Sequence, residues 1–310
     1  MGSNGWWKRF EALSGNLKGA ATLMVAACAF AIMAALIKLA GERLPVTQIL
    51  FVRQCIMMMV VAPAIFHHFP GCLKTKRLDL QMVRVAAALV AMLGGFYAVI
   101  HLPLADAVAI GFAKAFFVTI FAIYILHEQV GLRRWMAVVV GFVGVLVMIR
   151  PGTEGFDPIT LLALLAAAAA GFVMVILRKL SETDTPTTTL SYQALLVGVI
   201  IAFPAWLYWI PPTRTEWMLL LGIGIISYVG QMLNIHAYKW GEASVLASLD
   251  YTRLLYATVL GYFLFNTLPH TATWIGAAVI IGASIYTVQR ERVKNRKLVR
   301  SPKGRAFTET

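Results

Sequence analysis

Charged residues are scarce in this sequence of 310 residues. Only 13% of the residues are Asp, Glu, Lys or Arg, whereas 60% are hydrophobic. Soluble domains average about 25% charged and about 45–50% apolar residues, so this composition excludes an ordinary water-soluble fold. Cysteine is also rare. The three cysteines, Cys28, Cys55 and Cys72, form no CxxC pair and no regular framework, so we expect neither a disulfide scaffold nor a zinc site.

The sequence lacks the common catalytic and nucleotide-binding motifs. His127-Glu128 resembles the start of HExxH, but no second histidine follows at the required spacing. Neither a GxSxG nucleophile elbow nor a GxxxxGK[ST] phosphate loop occurs. These absences argue against an enzyme and against ATP hydrolysis by this chain, and we expect no cofactor.

Long apolar runs dominate the sequence instead. A membrane helix needs about 20 mainly apolar residues, because its backbone must satisfy its own hydrogen bonds across the hydrocarbon layer. The sequence therefore predicts an all-α polytopic membrane protein with ten spans: Leu17–Ala40, Val46–Phe66, Met82–His101, Ala105–Leu126, Trp135–Ile149, Pro158–Leu177, Leu190–Trp209, Glu216–Tyr238, Ala243–Phe265 and Thr273–Val288.

Lysine and arginine are distributed unevenly over the predicted loops. With both termini in the cytoplasm, only Lys38, Arg43, Arg150 and Arg214 lie outside, while the other basic residues of the loops, tails and span ends, Arg84 among them, lie inside. This bias predicts a multi-pass bacterial inner-membrane protein with cytoplasmic termini. The net charge of +13 is therefore a topology signal and does not indicate nucleic-acid binding. Residues 1–16 and the basic, disordered tail 290–310 are predicted to be cytosolic segments.

The two halves of the chain resemble each other. Lys38-Leu39, Pro45, Thr47 and Phe51 recur as Lys179-Leu180, Pro186, Thr188 and Tyr192, and residues 104–107 match residues 240–243. Because each repeat has five spans, an odd number, the second copy enters the membrane from the opposite side. The sequence thus predicts two inverted five-helix repeats, 17–150 and 151–289, as in many secondary transporters.

Several stretches resemble the EamA-type branch of the drug/metabolite transporter superfamily. They are Phe51-Val52-Arg53, His127-Glu128, Arg134–Gly152, Asp250–Leu255 and Gly261–Phe265. The ninth-span stretches are similar to a bacterial subgroup with S-adenosylmethionine-uptake-like and riboflavin-transporter-like members. This resemblance implies ten helices in two halves and transport of a small metabolite. The chain departs from the family where Asn266 replaces the glutamate expected at the end of the ninth span.

Four ionisable residues lie deep in the predicted spans. A charge in mid-membrane costs about 2.5–3.5 kcal/mol on insertion scales, so Arg53, Lys114, Asp250 and Arg253 are candidate functional residues. Lys114 aligns with Asp250 in the repeat, which predicts that the fourth and ninth spans face each other across a polar centre. Two alternatives remain: the charges contact a substrate or proton, or they pair and lock the helices together. For Arg53 the structural role is favoured.

Polar residues on two other spans complete the candidate set: Tyr97 and His101 on the third, and Asn234, His236 and Tyr238 on the eighth. Polar residues on a membrane helix tend to face a cavity or a partner helix. The histidines titrate near neutrality, so proton coupling is one option, and plain packing is the other.

These observations predict a secondary transporter for a small metabolite, such as an amino acid, nucleoside or vitamin-like compound, with an anionic or zwitterionic group. The excess of positive charge at the predicted centre favours such a group. A lipid scramblase or flippase and a multidrug-type exporter are the alternatives. The expected partners are the small-molecule substrate and the lipid bilayer, and we expect a monomer or a homodimer.

Overall fold

Nearly all of the residues that the structure describes are helical. The computed structural model describes residues 15–67, 74–127, 132–149, 157–180, 182–184, 186–240, 249–279, 281–282 and 286. The helices are α1 Gly15–Ala40, α2 Val46–His67, α3 Leu78–His101, α4 Leu104–Gly111, α5 Lys114–Leu126, α6 Leu132–Ile149, α7 Pro158–Leu180, α8 Pro186–Leu207, α9 Arg214–Trp240, α10 Thr252–Phe265 and α11, residues 271–279. These residues contain no strand.

Every predicted span contains helix, so the all-α polytopic fold is confirmed. Among the described residues, five stretches are long and apolar enough to cross a membrane: Leu17–Ala40, Leu78–His101, Leu104–Leu126, Pro158–Leu180 and Arg214–Asn234. Shorter apolar helices lie at Val46–Val60, Ser191–Leu207 and Thr252–Phe265. The outer helix faces are correspondingly apolar. On α8, Val199, Phe203 and Trp206 share one stripe and are 69%, 66% and 74% exposed, as expected of side chains that contact lipid.

Helix packing follows the predicted duplication. The helix α1 packs along α9, and its counterpart in the second half, α7, packs along α3. Likewise α5 packs against α7, and α10 packs against α1, while α2 and α8 pack against each other. Each of these contacts between the halves is therefore matched by its equivalent. Since each half has an odd number of spans, the two halves are inverted relative to each other.

Small residues allow the closest of these approaches. Ala163, Ala166 and Gly171 on α7 are all buried. A Cβ atom on Gly171 would lie 2.9 Å from the Lys114 carbonyl oxygen and 2.9 Å from the Phe117 Cβ atom. The α5–α7 crossing therefore depends on the missing side chain, as is common where membrane helices approach closely.

The structure corrects one expectation and gives one basic residue a structural role. Ala105–Leu126 was expected as one helix, but the helix breaks at Phe112–Ala113 between α4 and α5. Arg84, which is predicted to lie on the cytoplasmic side, lies within α3, is only 2% exposed, and donates hydrogen bonds to the Thr189 carbonyl and to Gln193 Oε1, at 2.6 and 2.8 Å. Its charge is used to join α3 to α8.

Both halves end their broken helix in the same way. His127 caps α5 with φ 52°, and Asn266 caps α10 with φ 50°. Asparagine adopts this left-handed conformation more readily than most residues, and glycine is the usual choice. By these caps Asn266 is equivalent to His127, so Thr267, and not Asn266, stands at the position equivalent to Glu128.

Candidate functional site

Two helix breaks meet near the middle of the bundle. The first, at Phe112 and Ala113, joins α4 to α5, and the second, at Asp250 and Tyr251, precedes α10. The Phe112 and Tyr251 rings pack edge to face with their centroids 4.9 Å apart. The breaks therefore bring the fourth and ninth spans into direct contact, as the repeat predicted.

Backbone hydrogen bonds tighten at both breaks. The Ala113 amide donates to the Ile110 carbonyl at 2.9 Å, and the Phe116 amide donates to Ala113 at 3.0 Å. In the second half, the Arg253 amide donates to the Asp250 carbonyl at 3.1 Å, and the Leu254 amide donates to Tyr251 at 3.0 Å. These bonds span three residues, as in a 3₁₀-helix, and such stretches inside long helices often mark hinges or functional positions.

The break positions also refine the alignment of the two halves. Phe112 and Asp250, the first residues of the two breaks, are 138 residues apart, and the His127 and Asn266 caps are 139 apart. By this structural register, Lys114 is equivalent to Thr252, and its expected equivalence with Asp250 is off by two residues. Their proximity therefore arises because two equivalent breaks meet, so a cation from one half approaches an anion from the other.

Lys114 and Asp250 lie across this junction from each other. The Lys114 Nζ atom is 4.0 Å from Asp250 Oδ2, and the two side chains are 38% and 28% exposed. This separation is longer than that of a hydrogen-bonded ion pair, typically about 2.7–2.9 Å. The contact therefore leaves both charged groups with capacity for another partner.

Arg253 supplies a second cation one helical turn from Asp250. Its guanidinium carbon lies 5.2 Å from the centroid of the Phe30 ring on α1. Its Nε atom is buried and has no hydrogen-bond partner among the described residues. A buried donor without a partner costs about 1–3 kcal/mol, so this nitrogen is a natural place for an anionic ligand atom.

Arg53 occupies a neighbouring position with a more structural role. Its Nε donates to Ser227 Oγ on α9 at 2.9 Å, and Ser227 in turn contacts Met33 Sδ on α1 at 2.9 Å. Its guanidinium carbon lies 5.8 Å from the Phe96 ring centroid on α3. Arg53 thus connects four helices, which agrees with the fold-determining role favoured from the sequence.

One face of α1 links the two arginines. Phe30 and Met33 are three residues apart, so they share a helix face. Phe30 lies beneath Arg253, and Met33 contacts the serine that binds Arg53. Arg53 and Arg253 are therefore both arranged around this face, and the local charge is predominantly positive.

Among the described side chains of the polar residues predicted on the third and eighth spans, Asn234 alone is placed on an inward face. Asn234 is half-buried and lies seven residues beyond buried Ser227, hence on the same face of α9. His236 is exposed, and its Nδ1 atom contacts the Met232 carbonyl at 2.8 Å. The side chain of Tyr238 lies outside the described residues.

Tyr97 and His101 pair with each other on an outer face. Their rings stack with centroids 3.9 Å apart, and His101 Nδ1 lies 2.9 Å from the Tyr97 carbonyl oxygen. Tyr97 continues an exposed stripe of α3 formed by Val83 and Val90 at seven-residue spacing. The structure therefore does not bring these two residues to the junction of the breaks.

Sequence reasoning missed the aromatic part of the site. Phe30, Phe112 and Tyr251 sit in apolar runs, where an aromatic residue gives no signal of its own. Ser227 was missed because a single serine in a membrane helix has many roles. A helical-wheel comparison of Ser227 with Asn234 was the one available indication.

Comparisons with known proteins match nearly the whole chain. The sequence model described as the EamA-like transporter family matches residues 17–150 and 158–289. The chain is 28% identical to the S-adenosylmethionine uptake transporter of Rickettsia prowazekii (strain Madrid E), over 91% of this chain and 96% of that protein. It is 30% identical to the riboflavin transporter of Brucella anthropi, over 86% and 98%.

A further relative carries its substrate in the other direction. The chain is 27% identical to the pseudopaline exporter CntI of Pseudomonas aeruginosa (strain UCBPP-PA14), over 86% of this chain and 94% of that protein. A solved crystal structure matches with a TM-score of 0.59 at 17% identity, covering 90% of this chain and 98% of the other. At that identity the match supports the fold alone.

Proposed function

The chain belongs to the EamA-like transporter family, and from that premise we propose that it is a secondary transporter that moves a small metabolite with an anionic or zwitterionic group across the inner membrane by alternating access. The transporter class and the multi-pass membrane location follow from the family. The substrate class, the mechanism and the orientation with both termini in the cytoplasm are parts of the proposal.

The observation that carries the proposal is the set of charges at the junction of the two breaks. Placing the charges of Lys114, Asp250 and Arg253 within the membrane costs about 2.5–3.5 kcal/mol for each residue. Among the described residues, the 4.0 Å contact between Lys114 and Asp250 and the Phe30 ring next to the Arg253 guanidinium offset part of this cost, while the Arg253 Nε atom has no hydrogen-bond partner. A substrate with complementary charges would offset the remaining cost.

The charge arrangement favours one chemical class. Two cations and one carboxylate leave a net positive site that suits a carboxylate or phosphate, while Asp250 offers a partner for an ammonium group. Phe112 and Tyr251 place aromatic faces and edges next to these charges, which suits a ring system. Arg53 and Asn234 border the site, whereas Tyr97, His101 and His236 are left out of it because they are exposed on outer helix faces.

The relatives supply the compounds to test. Their names give S-adenosylmethionine, riboflavin and pseudopaline as substrates of those proteins, and both uptake and export are represented. The direct experiment is counterflow in proteoliposomes preloaded with S-adenosylmethionine, riboflavin or an amino-acid mixture, which detects transport of either direction. We expect exchange of at least one compound with an anionic or zwitterionic group.

Matched variants assign the activity to the site. Asp250→Asn and Arg253→Gln should insert normally and lose exchange, because each removes a charge that a bound substrate uses. Asp79→Asn is the control, since Asp79 pairs with Arg77 in an exposed contact at 3.0 Å. Exchange at the wild-type rate in both site variants, or movement of fluorescent lipid without metabolite exchange, would contradict the proposal.

A further inference from the structure

Lys38 ties the end of α1 to the ends of two other helices. Its Nζ atom donates hydrogen bonds to the carbonyls of Val99, Ile100 and Leu102, at 3.4, 3.0 and 2.6 Å. It also lies 5.4 Å from the centroid of the Phe265 ring at the end of α10. This set of contacts, which we call the Lys38 latch, joins the third and ninth spans at one end of the bundle.

The chemistry of the latch depends on a helix end. The last carbonyls of a helix have no amide partner within the helix and carry a partial negative charge, so an ammonium group binds there favourably. The α3 helix ends at His101, and Leu102 turns into an extended conformation at φ −89°, ψ 160°. The latch therefore forms because α3 ends where the Lys38 ammonium can reach it.

The second half carries the same residue at the opposite end of the bundle. Lys179-Leu180 ends α7 as Lys38-Leu39 approaches the end of α1, and Trp240 on α9 is equivalent to Leu102 in the 138-residue register of the two breaks. Trp240 is the last described residue of α9, whereas Leu102 is the extended residue that follows α3. Among the described residues, Lys179 makes no hydrogen bond or ion pair.

We propose that Lys38 and Lys179 are alternating latches: Lys38 holds its end closed in the conformation described here, and Lys179 binds the end of α9 when the opposite end closes. The inference deepens the proposed function, since exchange of conformations between inverted repeats is what alternating access requires. Each lysine acts as a positioning residue that closes one gate and does not contact the substrate.

The first test measures access to the centre and needs no known substrate. Cys28, Cys55 and Cys72 are replaced by Ala, and Gly111→Cys is introduced, because a Cβ atom at Gly111 meets nothing within 4 Å. Labelling by a membrane-impermeant maleimide is then measured from each side in proteoliposomes of known orientation. Lys38→Met should raise labelling from the Lys38 side about tenfold, the effect of losing about one hydrogen bond from a charged donor.

Two variants complete this test. Lys179→Met should leave labelling from the Lys38 side unchanged or lower, because it disfavours the state in which that side opens. Lys18→Met, near the other end of α1, is the control and should have no effect. Unchanged labelling in a folded Lys38→Met protein would overturn the proposal, whether or not any substrate is transported.

Crosslinking tests the exchange even if Lys38→Met does not fold. The pairs Lys38→Cys with Leu102→Cys, and Lys179→Cys with Trp240→Cys, are treated with a short bifunctional thiol reagent, separately and together. Each pair should crosslink alone, and a crosslink in one pair should prevent the other. High-yield crosslinking of both pairs in the same molecule, or failure of the Lys179 pair to crosslink, would contradict alternating latches.

Discussion

The two linkers that join the first and second helices of each half lie at opposite ends of the bundle. Each is held to the third helix of the other half, but by different residues. In the first half, Arg43 pairs with Glu216 at the start of α9, in a contact open to solvent. In the second half, Asp184 accepts hydrogen bonds from Thr75 and from Gln81 of α3, at 2.5 and 2.8 Å, and is buried. The duplication has therefore kept the position of the contact and changed the residues that make it.

The two ends also differ in how the broken helices pack. At the Lys38 end, α4 and α10 share one apolar cluster that includes Leu104, Ile110, Leu254 and Ala257, all 4% exposed or less. Beyond the breaks, the Lys114 side chain is 38% exposed. The difference indicates a bundle closed at the Lys38 end. The following experiments test the contacts that hold the two ends.

The largest stability effect is expected at Arg84, in the buried network of the Asp184 end. Arg84→Ala leaves the Thr189 carbonyl and Gln193 Oε1 without this donor in a buried setting, which should cost about 2–4 kcal/mol. Arg43→Ala at the other end is the matched arginine variant and should change stability little, because its ion pair is exposed. Thermal unfolding in detergent measures both. Equal losses would mean that the two ends are held equally strongly.

A smaller loss is expected at the α5–α7 crossing. Gly171→Ala places a Cβ atom 2.9 Å from the Lys114 backbone oxygen, so the helices must separate at a cost of about 1–3 kcal/mol. Gly95→Ala is the control, because a Cβ atom there meets nothing within 4 Å. The same unfolding assay should show no loss for Gly95→Ala. A neutral Gly171→Ala would show that the crossing tolerates a wider separation.

The smallest effect is a pH dependence at Asp184. Burial alone would raise the pKa of the Asp184 carboxyl, but hydrogen bonds from Thr75, Gln81, the Lys76 amide and Thr183 outweigh it and hold the pKa below its ordinary value of 3.8. A lowered pKa stabilises the fold above pH 3.8, and this contribution is lost as the pH falls through the folded-state value. Asp184→Asn should therefore be less stable than wild type near neutrality and converge with it in acid. A constant difference across this range would contradict the role of the charge.

The sequence predicted the spans and the duplication because both depend on local composition. Apolar length defines a membrane helix, and Lys38-Leu39 with Lys179-Leu180 marks the repeat directly. The meeting of the fourth and ninth spans followed from the same repeat. These features need no knowledge of which side chains touch.

The breaks and the buried networks were not predictable in this way. Phe112 and Ala113 are ordinary helix residues, and their break is tied to Tyr251, 139 residues further on. Arg84 is an inward anchor only because the Thr189 carbonyl and Gln193 lie opposite it, more than a hundred residues away. Arg53 and Tyr97 look equally polar in the sequence, and only packing separates an inward side chain from one on an outer face.

The most direct test of the central claim replaces the three central charges together, with Lys114→Met, Asp250→Leu and Arg253→Met in one protein. If the charges only locked the helices, matched apolar packing would preserve or raise stability and retain transport. Our account predicts a folded, correctly inserted protein that has lost counterflow of the substrate found for wild type. Counterflow at near the wild-type rate in a well-folded triple variant would contradict the assignment of this site.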